Sequence, residues 1–222
     1  MTRQIIFLII CVLTVLHHVL SRRGCCGPQQ WTGVAIQKLG RYDHDVDVAS
    51  LADVTTHVAY SYDDRKVSLQ QEVYNMTVKS KNKVHVIYEF KEGIEYIITN
   101  DNYCISYSIG GEMWSGCVPD NAIHLGTYNI SGPTVDIYRV VSPSGATIRF
   151  SVSSQLCYPA TESLLTQGPV YDLKVSVYEN VTKGISDPSV FKVPVFCHHS
   201  QIKKKYISST ITELIHSSFS WG

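Results

Sequence analysis

Val84-His85-Val86-Ile87-Tyr88-Glu89-Phe90, then Lys91-Glu92-Gly93, then Ile94-Glu95-Tyr96-Ile97-Ile98-Thr99 is the stretch that decides the fold. Successive side chains of a strand point to opposite faces, so an apolar period of two marks a half-buried strand. Val84, Val86, Tyr88 and Phe90 make one apolar face against His85 and Glu89. Ile94, Tyr96 and Ile98 resume the pattern against Glu95 and Thr99. Glu92-Gly93 reads as the turn between them, and the two runs are expected to pair as a hairpin with their apolar faces aligned.

The same period recurs on both sides of this hairpin. Ile105, Tyr107 and Ile109 alternate with serines; Ile148, Phe150 and Val152 with Arg149 and Ser151; Tyr171, Leu173, Val175 and Val177 with Asp172, Lys174 and Ser176. Weaker strand patterns run from Gly33 to Leu39, Thr55 to Tyr62, Val67 to Tyr74, Ile123 to Ile130 and Val135 to Val141. About ten half-buried strands and almost no helical period predict an all-β sandwich or open barrel rather than a parallel α/β fold. Ser208 to Phe219 is the one stretch read as a short helix.

At the N-terminus, Arg3 precedes an apolar run from Ile5 to Leu16, followed by small residues near Ser21. That is the secretory signal pattern, with cleavage expected after Ser21, which leaves one domain over residues 22–222. With 44% hydrophobic and 17% charged residues, that domain can bury its own core. Its zero formal net charge argues against nucleic-acid partners, which need a basic excess on one face, and Lys203 to Lys205 reads as solvated surface. Beyond the signal, six cysteines remain: Cys25, Cys26, Cys104, Cys117, Cys157 and Cys197. An even number in an oxidising compartment predicts three disulfides, with adjacent Cys25 and Cys26 reaching different partners. Sequons at Asn75, Asn129 and Asn180 sit at the ends of strand patterns and are expected to carry glycans.

Catalytic motifs are lacking. The chain has no G-x-S-x-G elbow, H-E-x-x-H pair or phosphate-binding glycine loop, so an enzyme is not expected. His57 and His85 lie in strand patterns and read as structural; Glu92 and Glu95 read as solvated residues near a turn. The His198-His199 doublet beside Cys197 lacks the second half of a zinc spacing. Asp43, Asp45 and Asp47 would place three carboxylates on one side of an extended segment and are the obvious calcium candidates, but an EF-hand's glycine and bidentate glutamate are missing, and a solvated acidic edge that discourages aggregation is at least as good a reading. Asp63-Asp64 and Asn100-Asp101-Asn102 are equally plausible oxygen donors.

One set of blocks points to a family. Cys25-Cys26-Gly27-Pro28-Gln29-Gln30-Trp31-Thr32-Gly33 resembles the N-terminal signature of ependymin-related proteins. Ser61-Tyr62-Asp63, Cys157-Tyr158-Pro159 and Gly184-Ile185-Ser186-Asp187-Pro188-Ser189-Val190-Phe191 follow in the family's order. The resemblance implies two curved antiparallel sheets around a hydrophobic pocket, like bacterial lipoprotein carriers, in a secreted or lysosomal homodimeric glycoprotein. It also implies calcium binding, a link to cell–matrix adhesion or membrane surfaces, and a lipid or other hydrophobic ligand. Matching its cysteines pairs Cys25 with Cys157 and Cys104 with Cys197, leaving Cys26 and Cys117 for the third bridge. The chain departs from vertebrate relatives at Ser218-Phe219, where they carry a further cysteine.

Alternation alone predicts a closed core, because most apolar strand faces simply fill the interior. The resemblance favours a pocket instead, and Tyr88, Phe90, Tyr96, Ile98, Phe150 and Tyr171 are the aromatic and apolar side chains expected to line it. A structural matrix glycoprotein without a small ligand is the competing expectation.

Overall fold

The computed structural model of the chain describes residues 25–110, 112–129, 133–141, 146–166, 170–199, 202–204 and 220–221, with side chains described up to residue 197. The expected signal segment and C-terminal helix lie outside the described residues.

Twelve strands form one sheet. In chain order they are β1 (Gln30–Asp43), β2 (Val48–Ser61), β3 (Lys66–Asn75), β4 (Ser80–Glu89), β5 (Ile94–Thr99), β6 (Tyr103–Ser108), β8 (Ile123–Asn129), β9 (Thr134–Val141), β10 (Thr147–Ser153), β11 (Pro159–Leu165), β12 (Val170–Lys183) and β13 (Ile202–Lys204). Their spatial order is β13-β6-β5-β4-β3-β2-β1-β12-β11-β10-β9-β8. β7 (Glu112–Met113) and β14 (Ser220–Trp221) pair separately. Every contact within the large sheet is antiparallel except β13 on β6. The all-β class holds, with a single continuous sheet in place of two. The only helical turns among the described residues are two short 3-10 segments, Pro188–Phe191 and Val195–His199.

The topology is two meanders, β1 to β6 and β8 to β12, joined where β1 pairs with β12. Each of those two central strands runs fourteen residues, and a bulge between Thr32 and Val34 shifts their register. Opposed residues of an antiparallel pair share a face. Following the register from Trp31, Ala35 and Leu39 therefore defines an inner face across the whole sheet. On it lies one apolar cluster spanning β1 to β4, with Leu39, Val54, Val58, Leu69, Val86 and Tyr88. A second, with Val140, Ile148, Phe150 and Leu164, spans β9 to β11. Trp31 stacks on Tyr60 at 5.7 Å between centroids and meets Tyr178 edge-on at 6.2 Å, a pairing worth about 0.5–1.5 kcal/mol beyond area burial.

A smaller cluster of Ile87, Tyr96, Ile98 and Cys197 lies on the outer face, with Val193 against it. The segment after β12 makes this cover: Asp187 caps the first 3-10 turn by accepting from the Ser189 N–H, and Phe191 is buried.

The paired cysteines tie the rim together. Cys25 bonds Cys157, Cys26 bonds Cys117 and Cys104 bonds Cys197. Gly27 donates its N–H to the Gly116 carbonyl at 2.9 Å, and Val118 donates to the Cys25 carbonyl at 2.8 Å. A Cβ on Gly27 would stand 3.0 Å from the Cys157 carbonyl oxygen, so the signature glycine is set by a close approach of backbones. This knot also holds Trp114, whose carbonyl accepts from the Tyr60 hydroxyl and whose indole donates to the Cys117 carbonyl at 2.7 Å.

Candidate functional site

The inner face is apolar at both ends and polar in its middle. β12 turns Asp172, Lys174, Ser176 and Tyr178 inward, opposite Arg41, Leu39, Gln37 and Ala35 of β1. A chain of hydrogen bonds crosses four strands from there: Gln37 donates to Ser176 at 3.1 Å, Thr56 to Gln37 at 2.8 Å, and Gln71 to Thr56 at 3.4 Å. Beside it, the Lys174 ammonium lies 3.2 Å from the Glu162 carboxylate, whose other oxygen accepts from the Tyr178 hydroxyl at 3.0 Å. One row further, Arg41 faces Asp172 at 3.8 Å. Lys174 has no exposed surface.

Burial dominates the electrostatics. It pushes the Tyr178 hydroxyl well above its ordinary value, and the adjacent Glu162 charge adds to the effect. It also raises the Asp172 carboxyl, against the pull of Arg41 and of the Thr166 hydrogen bond. Four atoms of this belt, Gln71 Oε1, Arg41 Nη1, Asp172 Oδ1 and Lys174 Nζ, have no hydrogen-bond partner, Lys174 being held by its ion pair alone.

Apolar surface continues from this belt toward β4 and β5. Val84, Phe90, Ile97 and Ile109 pack against the larger cluster yet are only partly buried. Their positions make them a wall that has room for further contacts.

The six side chains expected to line one pocket are not brought together. Tyr88 and Phe90 stack at 5.7 Å on the larger inner cluster, and Phe150 stacks on Tyr138 at 5.6 Å in the second. Tyr96 and Ile98 face outward, in the cluster under the 3-10 segment. Tyr171 is also outward and 46% exposed. The aligned-hairpin expectation fails on parity: Glu89 pairs with Ile94, so Tyr88 opposes Glu95 and Ile87 opposes Tyr96. Residues with even numbers on β4 therefore share a face with odd ones on β5.

β12 inverts its expected orientation. Tyr171, Leu173, Val175 and Val177 point outward at 41–47% exposure, while the polar set between them is turned in. With Ile36, Tyr42 and Leu165 on the neighbouring strands, they form a contiguous exposed apolar patch on the outer face.

Asp43, Asp45 and Asp47 occupy the β1–β2 connection without converging. Asp43 accepts from the Asp45 N–H at 3.0 Å, and Asp47 accepts from the Tyr42 hydroxyl at 2.9 Å. Among the described residues, no group of three or more His, Cys, Asp or Glu side chains is placed to hold a metal ion. These donors do not fit calcium as they stand. Glu95, read as solvated, is fully buried and hydrogen-bonds the Tyr88 hydroxyl. His57 is exposed on the outer face. His85 is held 2.8 Å from the Ser68 hydroxyl and near the Val190 carbonyl. Asp64, Glu92, Pro188 and Phe191 help line a cleft of about 300 Å³ with Arg65, Lys66, Glu89 and Lys91, Pro188 and Phe191 coming from the last of the family-like blocks. Asn129 and Asn180 are exposed, Asn180 in a left-handed conformation at φ 52°, and Asn75 is half-buried with its side chain accepting from the Thr77 and Val78 N–H groups.

A family model described as Ependymin matches residues 78–197, more than half of the chain. The chain belongs to the ependymin family. Among similar proteins are the mammalian ependymin-related protein 1 of Rattus norvegicus, 24% identical over 81% of this chain and 79% of that one, and its counterpart in Mus musculus, 24% identical over 88% and 86%. A LolA superfamily protein from Nitrosomonas europaea covers 76% of this ependymin-family chain and 93% of its own, at 7% identity and a TM-score of 0.34. At that score the likeness carries no inference about function.

Proposed function

We propose that this ependymin-family chain is a secreted carrier of a hydrophobic or lipid ligand, held on the inner face of its sheet. The observation that supports the reading is the partly buried wall of Val84, Phe90, Ile97 and Ile109, which extends the apolar core yet leaves contacts unfilled. A tail laid along it would gain about 0.8 kcal/mol per methylene removed from water. Three disulfides belong to an oxidising compartment, and no helix among the described residues is long and apolar enough to cross a membrane. The exposed sequons at Asn129 and Asn180 fit the same route with glycans attached. Calcium binding and matrix contact rest on the family resemblance alone.

The outer patch favours a homodimer as the working form. Exposed apolar surface of this extent on a solvent-facing sheet marks an interface, and a two-fold axis would place the patch against itself.

Native mass spectrometry of the full secreted chain, followed by organic extraction, tests the carrier reading. A bound apolar molecule, displaced in Ile97→Arg, is the expected result. An empty chain that gains no thermal stability from added fatty acid overturns it, since any ligand of the native state must stabilise that state.

A further inference from the structure

The two edges of the large sheet are unlike. β13, at one edge, runs three residues, two of them Lys203 and Lys204. β8, at the other, runs seven, Ile123-His124-Leu125-Gly126-Thr127-Tyr128-Asn129, with no Lys, Arg, Asp, Glu or Pro among them. Among the described residues β9 is its one neighbour, so a row of backbone N–H and C=O groups lies open along its other side. Ile123, Leu125 and Tyr128 are 42–53% exposed. The carboxylate beside them, Asp136 of β9, is engaged within the sheet: it accepts from the Thr127 hydroxyl at 2.5 Å and lies 3.5 Å from His124. Such a strand is a template for a second chain, and folded proteins blunt it with charge, proline, a bulge or a cover.

A bulge between His124 and Gly126 protects the first half of β8. From Gly126 to Asn129 the pairing with β9 runs in unbroken register, and no residue of the strand itself guards that half. Asn129, its last residue, opens the sequon Asn129-Ile130-Ser131. Asn129 is exposed, and its Oδ1 accepts from the Thr134 hydroxyl at 2.7 Å, which leaves Nδ2, the atom that carries a sugar, outside that contact.

We propose that an N-linked glycan on Asn129 guards this edge, and that without it β8 pairs with β8 of a second copy. The inference goes beyond the carrier reading and rests on the sequons being glycosylated. The bulk of the glycan stands where a further strand would have to lie, doing by volume what charge does at other edges. A second copy is the fitting occupant of the bare edge, because an uncharged strand meets itself antiparallel about a two-fold axis with no like charges opposed. This edge is separate from the outer patch, which centres on β12 and β1 in the middle of the sheet.

Ser131→Ala removes the sequon and keeps Asn129 with its Thr134 contact. Secreted from the same cells as the wild type, it should sediment at about twice the wild-type mass or more. Amide exchange over residues 126–129 should slow in the associated species. Tyr128→Lys added to Ser131→Ala charges the bare half and should restore the wild-type mass. Asn180→Gly deletes a glycan on β12, four strands away, and suits the left-handed backbone there; it should leave the mass unchanged. Ser131→Ala at the wild-type mass overturns the inference, as does association that Tyr128→Lys does not reverse. Equal association of Asn180→Gly overturns it too, since glycans would then act as general solubilisers. If Ser131→Ala is not secreted, folded wild type trimmed by an endoglycosidase to one sugar per site takes its place, with the same two readings. Peptide mapping separates the premises: an unmodified Asn129 beside a modified Asn180 overturns the guard alone, and no glycan on either overturns the glycoprotein reading with it.

Discussion

Lys174 lies 3.2 Å from Glu162 of β11, both buried, Lys174 on the face of β12 that the hydrophobic pattern assigned to solvent. Neither group can be removed singly without leaving a charge stranded in the interior. Lys174→Met alone should therefore destabilise the fold by about 3–5 kcal/mol, while the double change with Glu162→Gln restores most of that loss. Urea midpoints of the three proteins measure it; equal destabilisation by both variants would contradict the pairing.

On the opposite face, Val175 is 41% exposed and flanked by Leu173 and Val177. Val175→Lys should leave the sheet intact, because the side chain already projects outward, and should convert a dimer to a monomer. Sedimentation velocity at several concentrations distinguishes the outcomes. A wild type that remains monomeric at tens of micromolar removes the case for this interface.

His85 titrates below its ordinary value because burial disfavours its charged form, although the Val190 carbonyl and Asp101 act the other way. Between the folded value and the unfolded 6.5, the unfolded chain binds more protons. Stability from this residue is thus complete above pH 6.5 and declines as pH falls below it. Asp172, raised by burial, contributes with the opposite sign at lower pH. His85→Gln, which retains a partner for Ser68, should flatten the fall in melting temperature between pH 7 and pH 5. An unchanged slope would show that other groups set it.

The Cys104–Cys197 bridge fastens the segment that covers the outer cluster of Ile87, Tyr96 and Ile98. Replacing both cysteines with serine should cost about 2–4 kcal/mol. Amide exchange should quicken over residues 188–197 while β1 to β3 stay protected. Uniform acceleration across the sheet would mean that the bridge supports the whole fold rather than this cover.

The ten strand patterns all correspond to strands, because a period of two needs only one buried face to be visible. Sequence could not say which face. Four residues between Glu89 and Ile94 set the parity that splits Tyr88 from Tyr96, and that number follows from turn geometry rather than hydrophobicity. β11 escaped notice since it opens on Pro159 and carries Thr161, Glu162 and Ser163, and Thr161 and Glu162 find their partners only across the sheet. The inner polar belt was hidden for the same reason: Lys174 and Ser176 read as solvent-facing until Glu162 and Gln37, far away in sequence, supply their contacts. Adjacent Cys25 and Cys26 were the exception, where sequence alone required two separate partners.

Of the described strands β1 is the first to leave the ribosome, and one of its two neighbours in the sheet is β12, which ends at Lys183. The meander from β1 to β6 can assemble as it emerges, but the open side of β1 must wait for well over a hundred further residues to be made. At about 5–20 residues per second that interval lasts many seconds. Through it a fourteen-residue edge stands with its amides unpaired. Biosynthesis of this chain should therefore depend on chaperones that mask that edge, and fragments truncated before β12 should be degraded rather than accumulate as folded protein.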